Sequence, residues 1–176
     1  TQWAGYAAHY RNVIEGLRRT EAHGAQQMGL EPGSPALFDR LDEEIARISP
    51  LIEERRKRSK VRRGHGDLHL RNMCKLDGRV LIFDCIEFNP ALRAGDVMND
   101  IAFLIMDLDH RALAAHANRF LNEYLEQTRD YAGLTLLDFY RFYRACVRAK
   151  VMSFESDGAP ATERRGVEQE AASYFD

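Results

Sequence analysis

The sequence predicts a mostly helical α+β domain built round one small β-hairpin. Over most of the chain, apolar residues recur three or four apart, the period of helices with one buried face. One short stretch alternates instead: Met73-Cys74-Lys75-Leu76 and Arg79-Val80-Leu81-Ile82-Phe83 flank Asp77-Gly78, a pair suited to a tight antiparallel turn. With 176 residues, 45% of them apolar and 30% charged, the chain has the balance of an ordinary globular domain with a real core. We therefore expect a single domain over residues 1–176.

The first third reads as helix. Trp3 to about Leu30 is rich in Ala and Arg, and Tyr6, Tyr10, Val13, Ile14 and Leu17 keep helical spacing. Glu31-Pro32-Gly33-Ser34-Pro35 is the clearest internal loop. A second amphipathic stretch carries Leu37, Leu41, Ile45 and Ile48 on one stripe. Ser49-Pro50 then either kinks that helix or caps a new one. Arg55 to Arg63 holds seven basic residues in nine, with no aromatic among them. That favours a solvated helix end, balanced by Glu53 and Glu54, over a phosphate or nucleic-acid patch.

The texture changes at Val61, ahead of the hairpin. Asn89-Pro90 and Gly95 mark a connecting loop. Asp96 to Leu108 is apolar nearly all round, as in a helix buried on every side. Two amphipathic helices follow, one with Leu113, Ala117, Phe120, Leu121, Tyr124 and Leu125, the other with Leu136, Tyr140, Tyr143, Val147 and Val151. Gly133 separates them. Ser156 to Pro160 is a final loop, and a last helical pattern runs from Val167 to Phe175.

The charge balance narrows the partners. A net charge of -2 and a pI near 6.3 argue against nucleic-acid binding by bulk electrostatics. Apolar runs fall short of the roughly 18 residues of a membrane-spanning helix. Three cysteines with no CxxC spacing suggest a reduced, cytoplasmic setting.

Chemistry concentrates in His65-Gly66-Asp67-Leu68-His69-Leu70-Arg71-Asn72, followed twelve residues later by Asp84. A two-residue turn at Asp77-Gly78 sets Asn72 opposite Phe83 and Asp84 opposite Arg71. A three-residue turn sets Asn72 against Asp84 directly, with β-carbons about 5 Å apart. Either way both sit at the open end of the hairpin, and Asp67 lies on the loop leading into it. A carboxylate and an amide oxygen converging there are hard donors that suit Mg²⁺ alongside phosphate and water oxygens. Asp67 is then placed to accept or orient the proton of an attacking hydroxyl. Phosphoryl transfer needs this division: metal on the phosphates, carboxylate on the nucleophile.

His65-Gly66-Asp67 with Asn72 resembles the kinase catalytic loop, and Ile82-Phe83-Asp84 resembles the end of the strand that bears the magnesium Asp. His-Gly-Asp-Leu-His, with Asp-Ile-Ala-Phe at Asp100 to Phe103, is similar to the aminoglycoside phosphotransferase family of small-molecule kinases. Phe83-Asp84-Cys85-Ile86-Glu87-Phe88-Asn89-Pro90 looks like a bacterial branch in which such a domain is often followed by a P-loop ATPase domain. The resemblance covers most of the chain and is strongest from Arg63 to Leu108. It implies a kinase-like C-terminal lobe with the hairpin at its catalytic loop, ATP and Mg²⁺ as cofactors, and a small hydroxylated substrate. It also implies Asp67 as catalytic base, Asn72 and Asp84 as magnesium ligands, and Asp100 as the residue that holds the loop through backbone N–H bonds. For Asp100 the plain alternative is a helix-entry acid. For His65 and His69, fixing backbone and packing are weighed ahead of a ligand role.

Three departures from protein kinases matter. Position 66 is Gly, not Arg, so the loop lacks the cation that reads an activation-loop phosphate. Only fifteen residues separate Asp84 from Asp100, little chain for a peptide-binding segment. Both favour a small acceptor, and Cys85-Ile86 replaces the usual Phe-Gly. The third is the absence of any G-x-G-x-x-G, G-x-x-x-x-G-K or strand lysine. The expectation is a fragment, running from Thr1 to Asp176, that lacks the N-terminal nucleotide lobe and binds nucleotide poorly alone. Two other functions remain open. One is a non-catalytic regulator of a neighbouring ATPase domain. The other is a metal-dependent phosphoesterase, suggested by Gly66-Asp67-Leu68-His69 although the companion Asp-x-His and Gly-Asn-His elements are missing. Asp107, Asp109 and Asp157 read as solvent-facing.

Overall fold

A computed structural model of the chain describes Tyr10, Glu15, residues 35–158 and Gly166. The helices expected from Trp3 to Leu30 and from Val167 to Phe175 lie outside the described residues, except that Tyr10 and Glu15 are both helical. The architecture is α+β and mostly helical. The sequence reads as a single domain; the chain divides into two compact units, Thr1–Ser59 and Lys60–Asp176. The boundary follows a turn in which Ser59 takes φ 57°, just ahead of the change in texture at Val61.

In the first unit one helix, α1 (Pro35–Lys57), runs straight through Pro50. Of the two outcomes offered at Ser49-Pro50, a kink or the cap of a new helix, no new cap forms and the helix is continuous. Proline removes the bond to the carbonyl of Ala46, but Ala46 and Pro50 both lie on the exposed side, where that carbonyl is open to solvent. Ser49 Oγ donates to the Ile45 carbonyl at 2.5 Å. Ile45, Ile48 and Ile52 are fully buried along one stripe. The basic run begins at the end of this helix, where Arg56 pairs with Glu53 and Arg58 with Glu54, the arrangement of a helix end rather than a bare cationic patch.

The second unit contains two small antiparallel ladders. Val61–Arg63 (β1) pairs with Ala94–Asp96 (β4), and Met73–Leu76 (β2) with Arg79–Ile82 (β3). Its helices are α2 (Pro90–Arg93), α3 (Val97–His110), α4 (Ala114–Thr128) and α5 (Leu137–Gly158), with 3₁₀ turns at Leu70–Asn72 and Tyr131–Leu136. The loop read at Asn89-Pro90 and Gly95 is instead the start of α2 and the middle of β4. Strands of three residues are too short to show alternation, and two of the three in β1 are arginines within the basic run.

Of the two turns open to the hairpin, the two-residue one forms. Leu76 pairs with Arg79, and Asp77 and Gly78 both take positive φ, 49° and 79°, as the tightest hairpin turn requires. Asn72 therefore lies opposite Phe83, whose N–H donates to the Asn72 carbonyl at 3.0 Å.

Helix α3 is the centre of the unit and packs against both α4 and α5. Leu104, Ile105 and Leu108 join Leu68 and Ala117 in one cluster, and Phe103 and Met106 join Ala145 in another. Burying a side chain of this size contributes about 1.5–3 kcal/mol. The Asp96 carboxylate caps α3 by accepting from the Met98 N–H at 2.9 Å. Phe139, Tyr140 and Tyr143, from the aromatic stripe of α5, are core. No helix among the described residues is long and apolar enough to cross a membrane.

Candidate functional site

The loop from Gly64 to Asn72 is held from below by α3. The Asp100 carboxylate accepts from the His65 N–H at 2.8 Å and from the Gly66 N–H at 3.0 Å. One turn and then another along the same helix, Asp107 accepts from the Leu70 N–H at 2.8 Å. Two carboxylates seven residues apart on one helix thus bind both ends of the loop. Between them Leu68 drops into the core. Glycine is required at two points: a Cβ on Gly64 would collide with Asp100 Oδ2, and Gly66 takes φ +85°.

Asp107 corrects the reading of that residue as solvent-facing. It is buried, and its second oxygen accepts from Arg111 Nε at 3.2 Å. A buried carboxylate is tolerated there because it is fully engaged, by a backbone N–H and a cation. Asp109 does lie nearer the surface, paired with Arg141.

His65 ties the loop to the segment around Asp84. Its Nδ1 accepts from the Asp67 N–H at 3.3 Å. That assigns the proton to Nε2, which donates to the Phe83 carbonyl at 2.8 Å. Its backbone carbonyl accepts from the Ile86 N–H at 3.1 Å. The bonds to Phe83 and Ile86 bracket Asp84, so both ring nitrogens are committed to shaping backbone.

Asp67 sits among three polar partners. Asn72 Nδ2 donates to both its backbone carbonyl and its Oδ2, each at 3.0 Å. His69 Nε2 lies 3.2 Å from Oδ2, and the His69 ring is buried edge-on against Phe103. Burial on its own raises the pKa of Asp67. The His69 hydrogen bond and charge, the Asn72 hydrogen bond and the Arg144 charge outweigh it and hold the carboxyl below its ordinary value. It is therefore an anion at neutral pH.

Asp84 stands just beyond the hairpin, exposed, at φ 58°. A left-handed backbone at a non-glycine residue costs about 1–3 kcal/mol and is found where surrounding structure enforces it; here the two His65 bonds do so. Asp67 and Asp84 line one cavity of about 650 Å³ together with Ile82, Phe83, Glu87 and Phe88. Asn72 is buried behind Asp67 rather than on the cavity wall.

Among the described residues, no group of three His, Cys, Asp or Glu side chains is arranged to hold a metal ion. The donors at hand are an exposed carboxylate, Asp84, an amide, Asn72, and the Asp67 carboxylate. All are hard oxygens, a set that fits Mg²⁺ when phosphate and water complete its octahedron and that fits a softer ion poorly.

Comparison with known proteins finds relatives but no family. Uncharacterized proteins of Mycobacterium tuberculosis and Mycobacterium bovis are each 38% identical to this chain over 111 residues. That stretch is 63% of the chain and 22% of the relative, so the chain spans about a fifth of the curated proteins that it matches. No family model and no solved structure matches.

Three residues of this site escaped the sequence reading: Arg93, Asp107 and Arg144. Arg93 Nε donates to the Gly64 carbonyl at 2.7 Å. Arg144 is buried between α3 and the loop. The available signal was polar residues, Asn99, Asp100 and Asp107, interrupting a helix otherwise apolar on every side. Such residues need buried partners.

Proposed function

We propose that this chain is the catalytic lobe of an ATP-dependent phosphotransferase acting on a hydroxyl of a small molecule. One observation carries the reading: Asp67 and Asp84, seventeen residues apart, open onto the same cavity, with Asn72 bonded to Asp67. In the aminoglycoside phosphotransferase family, which the motif resembles, a base, a metal-binding amide and a metal-binding carboxylate occupy the matching positions of the sequence. Asp67 is ionised and oriented by His69 and Asn72, so it can accept the proton of an acceptor hydroxyl as that oxygen attacks. Asn72 and Asp84 would hold Mg²⁺, which supplies charge neutralisation at the β- and γ-phosphate oxygens. The cavity lining includes the apolar Ile82, Phe83 and Phe88, which suit a flat base or sugar face, beside the carboxylates of Asp67 and Asp84.

The nucleotide lobe expected over such a site belongs, in this reading, to chain outside these 176 residues. A regulator that serves a neighbouring ATPase domain is the second reading. It is favoured by the exposed apolar hairpin, where Val80 is 68% and Phe88, just beyond it, 83% exposed. The phosphoesterase reading is weaker, because a metallophosphatase centre needs a His- and Asp-rich ligand cluster that the described residues do not form. The test uses full-length protein, MgATP and a panel of hydroxylated small molecules, followed by ³¹P NMR. Transfer that is lost in Asp67→Asn and Asp84→Ala supports the proposal. No transfer to any acceptor, with Asp84→Ala binding nucleotide as tightly as wild type, would remove it.

A further inference from the structure

A buried cation behind the loop has a geometry that packing alone does not require. The Arg144 side chain, on α5, is only 8% exposed. Its Nε donates to Asn99 Oδ1 at 2.8 Å, and Nη1 donates to the Gly66 carbonyl at 2.9 Å across 78 residues of sequence. Nη2 lies 3.7 Å from Asp100 Oδ1, and the guanidinium plane covers the Phe103 ring at 4.7 Å. The Gly66 N–H is already bound by Asp100. Both polar atoms of the Gly66 backbone are thus gripped by charged side chains, one from each of two helices.

The Gly66 carbonyl belongs to the peptide unit that leads directly into Asp67. Gly66 sits at φ +85°, where glycine has unusual freedom, so that peptide plane is poorly determined by local sterics. We propose that Arg144 is a positioning residue: by fixing the Gly66–Asp67 peptide plane it sets the direction in which the Asp67 carboxylate enters the cavity. The proposal deepens the phosphotransfer reading and rests on it for its kinetic consequence. The fork is needed as well as the charge. Lysine carries a single ammonium on a flexible stem and does not reproduce two hydrogen bonds at fixed angles while stacking on Phe103. Misplacement of a base by about 1 Å is enough to cost about a hundredfold in rate.

The test compares Arg144→Lys with wild type in the full-length protein. The expected result is kcat lowered tenfold or more and KM for MgATP and acceptor within twofold, with the urea midpoint lowered but the protein still fully folded under the assay conditions. A kcat within twofold of wild type, or a KM that rises in step with the loss of kcat, overturns the proposal. Asn99→Leu, which leaves Arg144 in place but removes its Nε acceptor, is a second variant expected to give a smaller loss of kcat with the same unchanged KM. An activity-free readout separates this idea from the kinase reading: the ¹³C shift of the Gly66 carbonyl in isotope-labelled protein. If wild type transfers no phosphate, the kinase reading fails and this shift decides alone. A Gly66 carbonyl displaced in Arg144→Lys, with the Asp77-Gly78 turn unmoved, supports Arg144 as the positioning residue; an unmoved Gly66 carbonyl refutes it.

Discussion

Replacing Asp100 by Asn changes one atom and removes one charge, and it tests how the loop is held. In the native chain the two Asp100 oxygens each accept one backbone N–H, at 2.8 Å from His65 and 3.0 Å from Gly66. The asparagine amide offers one acceptor and one donor. Whichever way it is turned, one backbone N–H then faces another N–H in a site where the side chain is only 17% exposed. A hydrogen bond to a charged group is worth about 1.5–3 kcal/mol, and stranding a buried donor costs a comparable amount that relaxation partly relieves. The expected loss is about 2–4 kcal/mol. At about 2–4 °C per kcal/mol for a chain of this length, Tm falls by roughly 4–16 °C. Urea denaturation at pH 7 measures the free energy, and amide exchange at His65 and Gly66 locates it. A loss under about 0.5 kcal/mol, with both amides still protected, would refute the idea that Asp100 anchors the loop.

Glycine substitutions should rank by what surrounds them. Gly66→Ala meets Ile86 Cδ1 at 3.0 Å as well as an unfavourable φ, whereas Gly78→Ala has the φ alone in open space; thermal melts should show a clearly larger loss for the former, beyond the about 1–2 kcal/mol that a left-handed alanine costs. Truncating Leu68 to Ala removes the apolar anchor at the middle of the loop and should cost about 2–5 kcal/mol in chemical denaturation. The lowered pKa of Asp67 makes its contribution to stability present above the ordinary carboxylate value, about 3.9, and lost as pH falls through the folded value. The stability difference between wild type and Asp67→Asn should therefore shift towards the variant below about pH 4; a difference that is flat from about pH 5 down to pH 3 would contradict the assignment.

The hairpin was legible because Asp77-Gly78 carries its own turn chemistry, and α3 because an all-apolar run of that length has few other fates. The contact of Asn72 with Asp67, and the opening of Asp67 and Asp84 onto one cavity, were legible only as a consequence of the hairpin. The left-handed turn at Asp84, which aims it at the cavity, depends on His65 bonds to Phe83 and Ile86 that no local pattern announces. The ladder between β1 and β4 stayed hidden because its strands are three residues long and 30 apart. Asp107 and Arg144 stayed hidden for a different reason. On the amphipathic α5, Arg144 looks the same in sequence whether it faces water or a backbone carbonyl 78 residues away; Asp107 stood out in an apolar helix, but its partner 37 residues away did not. At Pro50 the choice between a kink and a new cap was not legible locally; the helix continues, and the carbonyl freed at Ala46 lies on the exposed side of α1 where solvent can reach it.

Manganese provides the most direct test of the central claim, that the oxygens of residues 67, 72 and 84 share one divalent-ion site. Mn²⁺ added with ADP to ¹⁵N-labelled chain should broaden the amide resonances of residues 66–73 and 82–86 first, and Asp84→Ala should abolish that selectivity. Broadening that begins elsewhere, or that persists unchanged in Asp84→Ala, would contradict it.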